Sequence, residues 1–295
     1  MRLSRLTGFE YGLLNYARGN SKPQDEDCIL PVESISEDRA AQPLQKLHFL
    51  YHELRPDRCD YSYVLETKKF DEHLDLFLQV RKAGSPGLWP EVTFDDGHIS
   101  NFDYALPALM SRGLTARFFI TVGWTDKRPD YMGWRELRSL HESGQLIGAH
   151  GWSHTLLTHC TPRDFELELR KAKLVLEDKL GTSITAMSLP GGRYNRRVLA
   201  ACRETGYTQV YTSVPRAERE PLGFKVGRLN VRGDVLLEWI RNVLQPGSRE
   251  LSNLERQYRI KALAKAVAGD RLYEKIWALL NRKEPDGSDG GDYAA

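Results

Sequence analysis

Apolar positions along the chain come in two rhythms. Short dense runs at Lys46–His52, Glu91–Phe94, Ala116–Val122, Gln145–Ala149, Ile184–Leu189, Thr208–Thr212 and Phe224–Val231 read as buried strands. Between them the spacing lengthens to three and four. Over Thr67–Lys82 it puts Phe70, His73, Leu74, Phe77 and Val80 on one helical face. Helices are likewise predicted over Ile99–Ser111, Gly133–Ser143, Arg196–Thr205 and Val235–Val243. Another opens at Thr161-Pro162, a good N-cap followed by a good first residue, and runs to Leu180 before Gly181. Strand then helix, repeated, argues a parallel sheet covered by helices.

The flanks differ. Residues 1–45 form a polar extension, with a short helix predicted near Tyr11–Ala17. Residues 46–245 form the repeating domain, and residues 246–295 a basic, apolar helix over 251–282 with a Gly/Asp-rich tail. That helix suits packing on the domain or lying on an anionic membrane surface.

Composition narrows the classes. The 295 residues carry 42 basic and 40 acidic side chains, a net charge of +2 with the signs mixed, so there is no nucleic-acid footprint. Cys28, Cys59, Cys160 and Cys202 show no paired spacing and read as reduced thiols. No secretory signal or bilayer-spanning run is seen, so the expected location is cytoplasmic, including the inner membrane face.

Two stretches carry chemistry. The strand ending at Phe94 runs into Asp95-Asp96-Gly97-His98, two carboxylates where α/β folds place their ligands. An ordinary turn also suits Asp and Gly. The strand ending at Ala149 runs into His150-Gly151-Trp152-Ser153-His154. A carboxylate with two imidazoles leaves a ligand position open for water, the pattern of a catalytic zinc site. Two surface histidines without a metal are the bland alternative. A metalloprotease helix is excluded, because Gly151 stands where its glutamate belongs.

Thr93-Phe94-Asp95-Asp96-Gly97, then His150-x-x-x-His154, then Leu189-Pro190-Gly191-Gly192-Arg193-Tyr194-Asn195 resemble, in order, the motifs of the polysaccharide deacetylases (NodB-homology, carbohydrate esterase family 4). The resemblance covers residues 46–232. It implies a distorted, incomplete (β/α) barrel and a hydrolase that removes N-acetyl groups with one divalent metal ion, zinc, cobalt or nickel. It implies Asp95 as general base and Asp96, His150 and His154 as metal ligands. Pro190, Gly191 and Gly192 would offer backbone to the oxyanion, with Tyr194 at the substrate. The implied partner is an N-acetylated oligo- or polysaccharide or a lipid-linked precursor.

The general acid of the family is commonly a His in a Leu-x-His motif on the last strand, but no histidine follows His159. The first strand instead ends Leu50-Tyr51-His52, resembling the permuted order of poly-N-acetylglucosamine deacetylases. His52 is therefore the expected acid, its pKa raised by a nearby carboxylate, and His48 a structural neighbour. Ser188 stands where the family's third motif has an arginine, paired with an aspartate of a fourth motif to tune the base; no such aspartate is clear near Tyr211–Pro215, and Arg228 or Arg193 is the expected substitute. Trp134, Trp152, Tyr194 and Tyr211 are candidates for stacking on sugar rings. A non-catalytic barrel in polysaccharide biosynthesis, or hydrolysis of an O-acetyl ester or another C–N bond, are the competing readings.

Overall fold

The computed structural model describes residues 45–83, 88–245 and 247–268. The N-terminal extension with its predicted short helix, Cys28, and the tail lie outside them. Eleven strands follow in chain order: β1 Gln45–Tyr51, β2 Glu53–Arg55, β3 Val64–Glu66, β4 Leu88–Phe94, β5 Ala116–Ile120, β6 Leu146–Ala149, β7 Ala186–Ser188, β8 Gln209–Tyr211, β9 Glu218–Arg219, β10 Lys225–Val226 and β11 Arg228–Asn230. The main sheet runs β10-β8-β7-β6-β5-β4-β1-β11, parallel throughout, with β9 antiparallel to β1 at its edge. The small parallel pair β2–β3 lies outside the main sheet and is not among the predicted strands.

The two ends of that order are nearly the same strand. Val226 pairs with Tyr211 on one side, and two residues on Arg228 pairs with His48 on the other. The predicted strand Phe224–Val231 thus divides at Gly227 and bends the sheet into a distorted, incomplete barrel. Gly227 is needed there: a Cβ would fall 2.6 Å from the Val214 carbonyl, and its N–H donates to Glu218 Oε1 at 2.6 Å.

Both faces of the central strands are largely buried, so their apolar residues run together rather than alternating strictly. Leu47, Phe49 and Tyr51 of β1 point outward, where Phe49 packs on Phe77 and Tyr51 on Phe70 of the helix Thr67–Lys82. The alternate positions turn inward, and Phe119, Ala186, Tyr211 and Val226 fill the lower barrel as a separate small cluster. His48 is one of these inward groups: it is buried edge-on to Tyr211, and burial with nearby Lys46, Arg228 and Arg117 pushes its pKa down to about 3. It is structural, as expected.

The helices Trp134–Glu142, Arg196–Glu204 and Leu237–Val243 fall within one or two residues of their predicted spans. Thr161 and Asp164 cap each other's backbone N–H, as the Thr-Pro start implied. The helix Arg249–Ala268 packs Leu251 and Leu254 against the core and leaves Ile260 exposed. No helix among the described residues is long and apolar enough to cross a membrane. Cys59, Cys160 and Cys202 are free thiols.

Candidate metal centre and catalytic cavity

A cavity of about 460 Å³ opens where the inner strands end, lined by His52, Asp95, Asp96, His150, His154 and Gly191 among others. The parallel register delivers these groups together, since each follows the last residue of its strand: β1, β4, β6 and β7 in turn.

Asp95 is almost fully buried. Arg228 grips it with two parallel bonds, Nη1 to Oδ1 at 2.7 Å and Nη2 to Oδ2 at 2.8 Å, and Ser188 Oγ donates to Oδ2 at 2.9 Å. Burial alone would raise this carboxyl's pKa, but Arg228 and His150 outweigh it and hold Asp95 below the ordinary carboxylate range. Of the two arginines proposed from sequence, Arg228 is the one on Asp95. Ser188, read as a departure from the family pattern, completes the clasp and accepts from Arg228 Nη2 at 2.7 Å.

Asp96 has a positive φ of 71°, which turns its side chain away from its neighbour's. Its Oδ1 lies 3.3 Å from Nε2 of both His150 and His154. The ligand atoms of the three residues all fall within 4.8 Å of one another. The Nδ1–H of His150 donates to the Ser188 carbonyl at 2.9 Å, a group that can only accept, so neutral His150 carries its lone pair on Nε2. That lone pair faces a carboxylate oxygen which is buried and lacks a hydrogen-bond donor. Acceptor facing acceptor is repulsive unless a cation or proton lies between, so the donor set fits a divalent metal. Burial and His150 lower the His154 pKa to about 4, keeping that imidazole neutral for ligation.

The loop between the histidines is strained and braced. Gly151 and His154 have φ of 80° and 66°. Glu168, buried on the helix that follows, accepts the N–H groups of Trp152 and Ser153 at 2.9 and 3.0 Å and the Ser153 hydroxyl at 2.6 Å. A Cβ on Gly151 would sit 3.0 Å from the same carboxylate, so glycine suits both the space and the positive φ there.

His52 lines the cavity with its ring edge-on to Tyr63, and its Nδ1 is buried without a partner. One expectation fails here. Burial lowers its pKa more than Asp96 and Asp95 raise it, because neither carboxylate pairs with the ring directly. Nearby, Asn230 Oδ1 is also buried and unpartnered.

The Pro190-Gly191-Gly192 turn is partly as expected. Gly192 donates its N–H to the Leu189 carbonyl at 2.8 Å, so it is unavailable to an oxyanion. Gly191 has φ of 62°, lines the cavity, and its N–H has no hydrogen-bond partner among the described residues. Pro190 is buried behind it and does not line the cavity. Tyr194 does not line it either; its ring lies under Lys225 and against the core. Nor do Trp134 and Trp152, which lie half-buried against the core, or Tyr211, which is buried in the barrel. The aromatic lining is instead Tyr61, Tyr63, Trp124 and Tyr131, none of them singled out by sequence. They sit in loops whose course depends on strand closure, a signal that local spacing does not carry.

Residues 91–210 match the sequence model of the polysaccharide deacetylase family, and the family resemblance read from the motifs is borne out. The chain is 29% identical over 132 residues to YxkH of Bacillus subtilis, provisionally named a polysaccharide deacetylase, covering 45% of this chain and 47% of that one. It is 28% identical over 119 residues to chitin deacetylase 1 of Cryptococcus neoformans, covering 40% and 24%. The chain thus spans about half or less of the length of these curated relatives. Its fold is similar to that of the deacetylase PplD of Streptococcus pyogenes, with a TM-score of 0.60 at 18% identity over 69% of this chain and all of that one. It is also similar to IcaB of Ammonifex degensii, with a TM-score of 0.55 at 23% identity over 64% and 93%.

Proposed function

We propose that this chain is a metal-dependent N-deacetylase acting on an N-acetylated sugar of a polysaccharide or its precursor. The observation that carries the reading is the different treatment of two adjacent carboxylates in one cavity. Asp95 accepts three hydrogen bonds from Arg228 and Ser188, while Asp96 faces two imidazole nitrogens with no donor. Asp96, His150 and His154 would hold one zinc, cobalt or nickel ion. Such an ion supplies a Lewis acid and an acidified water at neutral pH. Asp95, kept ionised by Arg228, keeps one lone pair of Oδ1 free and takes the proton of the attacking water. The Gly191 N–H meets the developing oxyanion. His52 delivers a proton to the amine as the C–N bond breaks, leaving acetate and a free amino sugar.

The full engagement of Asp95 and the depressed pKa of His52 favour one rival, a non-catalytic barrel that binds the glycan. A single experiment separates them. The purified chain is assayed for bound metal and for acetate release from N-acetylglucosamine oligomers, with and without a chelator. About one equivalent of metal, and acetate release that stops on chelation and returns with zinc, is expected. Bound metal and bound sugar with no acetate would favour the rival. Metal held by His48, His98 or His159 instead would overturn the ligand assignment.

A further inference from the structure

The candidate acid stands in a gap between strands. His52 falls after β1, which ends at Tyr51, and before β2, which starts at Glu53. Main-sheet pairing stops just short of it, with the Val231 N–H on the Leu50 carbonyl at 2.9 Å and the Asp95 N–H on the Tyr51 carbonyl at 3.0 Å. Side chains from the segment after Asp96 take over from the ladder. Asn101 Nδ2 donates to the His52 carbonyl at 2.7 Å, His98 Nε2 lies 3.9 Å from Glu53 Oε1, and Ser100 Oγ accepts the Leu54 N–H at 3.0 Å. His98 Nδ1 accepts the Ser100 N–H at 3.2 Å, so it carries no proton, and the Ser100 hydroxyl 2.8 Å away donates to it. Residues 52, 53 and 54 are thus each held from the same short stretch.

Of these contacts, the one from Asn101 is the least explained by stability. Asn101 is fully buried and opens the π-helical turn Asn101–Ala105. Its partner is a carbonyl, so the bonded atom must be the amide nitrogen; a flipped amide would set oxygen against oxygen. That leaves Oδ1 buried with no partner among the described residues. A buried amide oxygen left unpaired works against folding, and a leucine of similar size would avoid it. Scaffold needs do not account for asparagine here, whereas the bond to His52 does. The ring carried by that same His52 is edge-on to Tyr63, with centroids 4.8 Å apart, and lines the cavity. A restraint on the His52 backbone is therefore a restraint on where its imidazole points.

Resting on the deacetylase reading above, we propose that Asn101 is a positioning residue for the general acid, holding the His52 backbone so that the imidazole faces the metal site. One segment, Asp95–Asn101, then sets the base, a metal ligand and the direction of the acid together. The zinc-loaded full chain is compared with Asn101→Leu, His52→Ala and the double variant on N-acetylglucosamine oligomers and on para-nitrophenyl acetate, an ester that needs no acid. Asn101→Leu should lose about 10²-fold in kcat on the oligomers with KM held, as misplacing a catalytic group by about 1 Å does, and little on the ester. The double variant should lose no more than His52→Ala, because both changes act through one imidazole. Independently of turnover, the His52 ring signal in histidine-labelled protein, assigned by its loss in His52→Ala, should shift or broaden in Asn101→Leu. The His150 and His154 signals and the zinc affinity should hold. Asn101→Ala repeats the comparison should the leucine lower Tm. Equal losses on amide and ester, losses that add in the double variant, or an unmoved His52 signal overturn the Asn101 assignment alone. No acetate from any oligomer with zinc bound, while the His52 signal still moves in Asn101→Leu, overturns the deacetylase reading and the acid role with it.

Discussion

The two walls of the candidate site's cavity are built on opposite terms. On the Asp95 wall nearly every polar atom is satisfied: Arg228 spends two donors on the carboxylate and a third on the Thr212 carbonyl, and Ser188 bridges Arg228 and Asp95. On the His52 wall, His52 Nδ1 and Asn230 Oδ1 are buried with no partner. Unpaired buried polar atoms are rare, and each costs about 1–3 kcal/mol. The difference teaches which wall is closed by its own hydrogen bonds and which has polar atoms to spare. The Asp95 wall is preorganised before substrate arrives. Under the proposed function, the His52 wall offers its polar atoms to the substrate.

The largest expected effect breaks the finished wall. Arg228→Met leaves the Asp95 charge buried without its partner, and breaking such a pair typically costs about 3–5 kcal/mol. Urea unfolding at pH 7 should show that loss. Arg228→Lys should recover only part of it, because a single ammonium cannot reproduce the parallel pair of bonds. Asp95→Asn keeps an acceptor for Arg228 and should therefore fold and bind metal, yet lose about 10²–10⁴-fold in acetate release. Unchanged stability in Arg228→Met would show that the clasp contributes nothing to the scaffold.

Much of this was legible in the chain, and the reasons for the rest are physical. Asp95, Asp96, His150 and His154 could be found because each pair is local in sequence and each follows a recognisable strand. The Arg228 partnership spans 133 positions and exists only because β11 closes onto β1. The hint in sequence was an arginine on the same alternation as Val226 and Asn230 inside an apolar strand, a charge that had to find a partner in the barrel. Tyr211 sits on a strand but points to the barrel floor, while Tyr61 and Tyr63 sit in an unremarked loop at its mouth. Periodicity distinguishes faces; it does not tell the depth of a position within a barrel. The same limit explains His52, whose place was foreseen while its burial, which decides its pKa, was not.

A smaller effect is expected on the unfinished wall. An amine leaves poorly unless protonated, whereas an activated acetate ester needs no acid. His52→Ala should therefore lose about 10²-fold or more on an N-acetyl sugar and little on the ester. Its stability should stay near that of the wild type, because the imidazole lost made no hydrogen bond. Equal losses on both substrates would remove His52 as the acid and leave it a binding residue.

The smallest effect sharpens the comparison by testing a support rather than a wall. The loop from His150 to His154 contains two residues at positive φ, one of them a metal-ligand candidate with a full side chain. Such a loop relaxes unless something holds it, and Glu168 is what holds it, with three short bonds to Trp152 and Ser153. No other acidic side chain among the described residues bonds to that loop's backbone, so the restraint depends on one carboxylate. Glu168→Gln keeps the size and one acceptor but surrenders the charge and one acceptor oxygen, leaving at least one donor of the loop poorly matched. Groups that orient metal ligands from outside typically control affinity by about 10–100-fold. Zinc affinity measured by competition with a chelating dye should fall within that range in Glu168→Gln and further in Glu168→Ala. Leu176→Ala, which opens a void in the same helix without touching the loop, serves as the control and should lower Tm while leaving zinc affinity alone. If the two helix variants weaken zinc equally at equal loss of Tm, Glu168 acts through general stability and the loop holds its own shape.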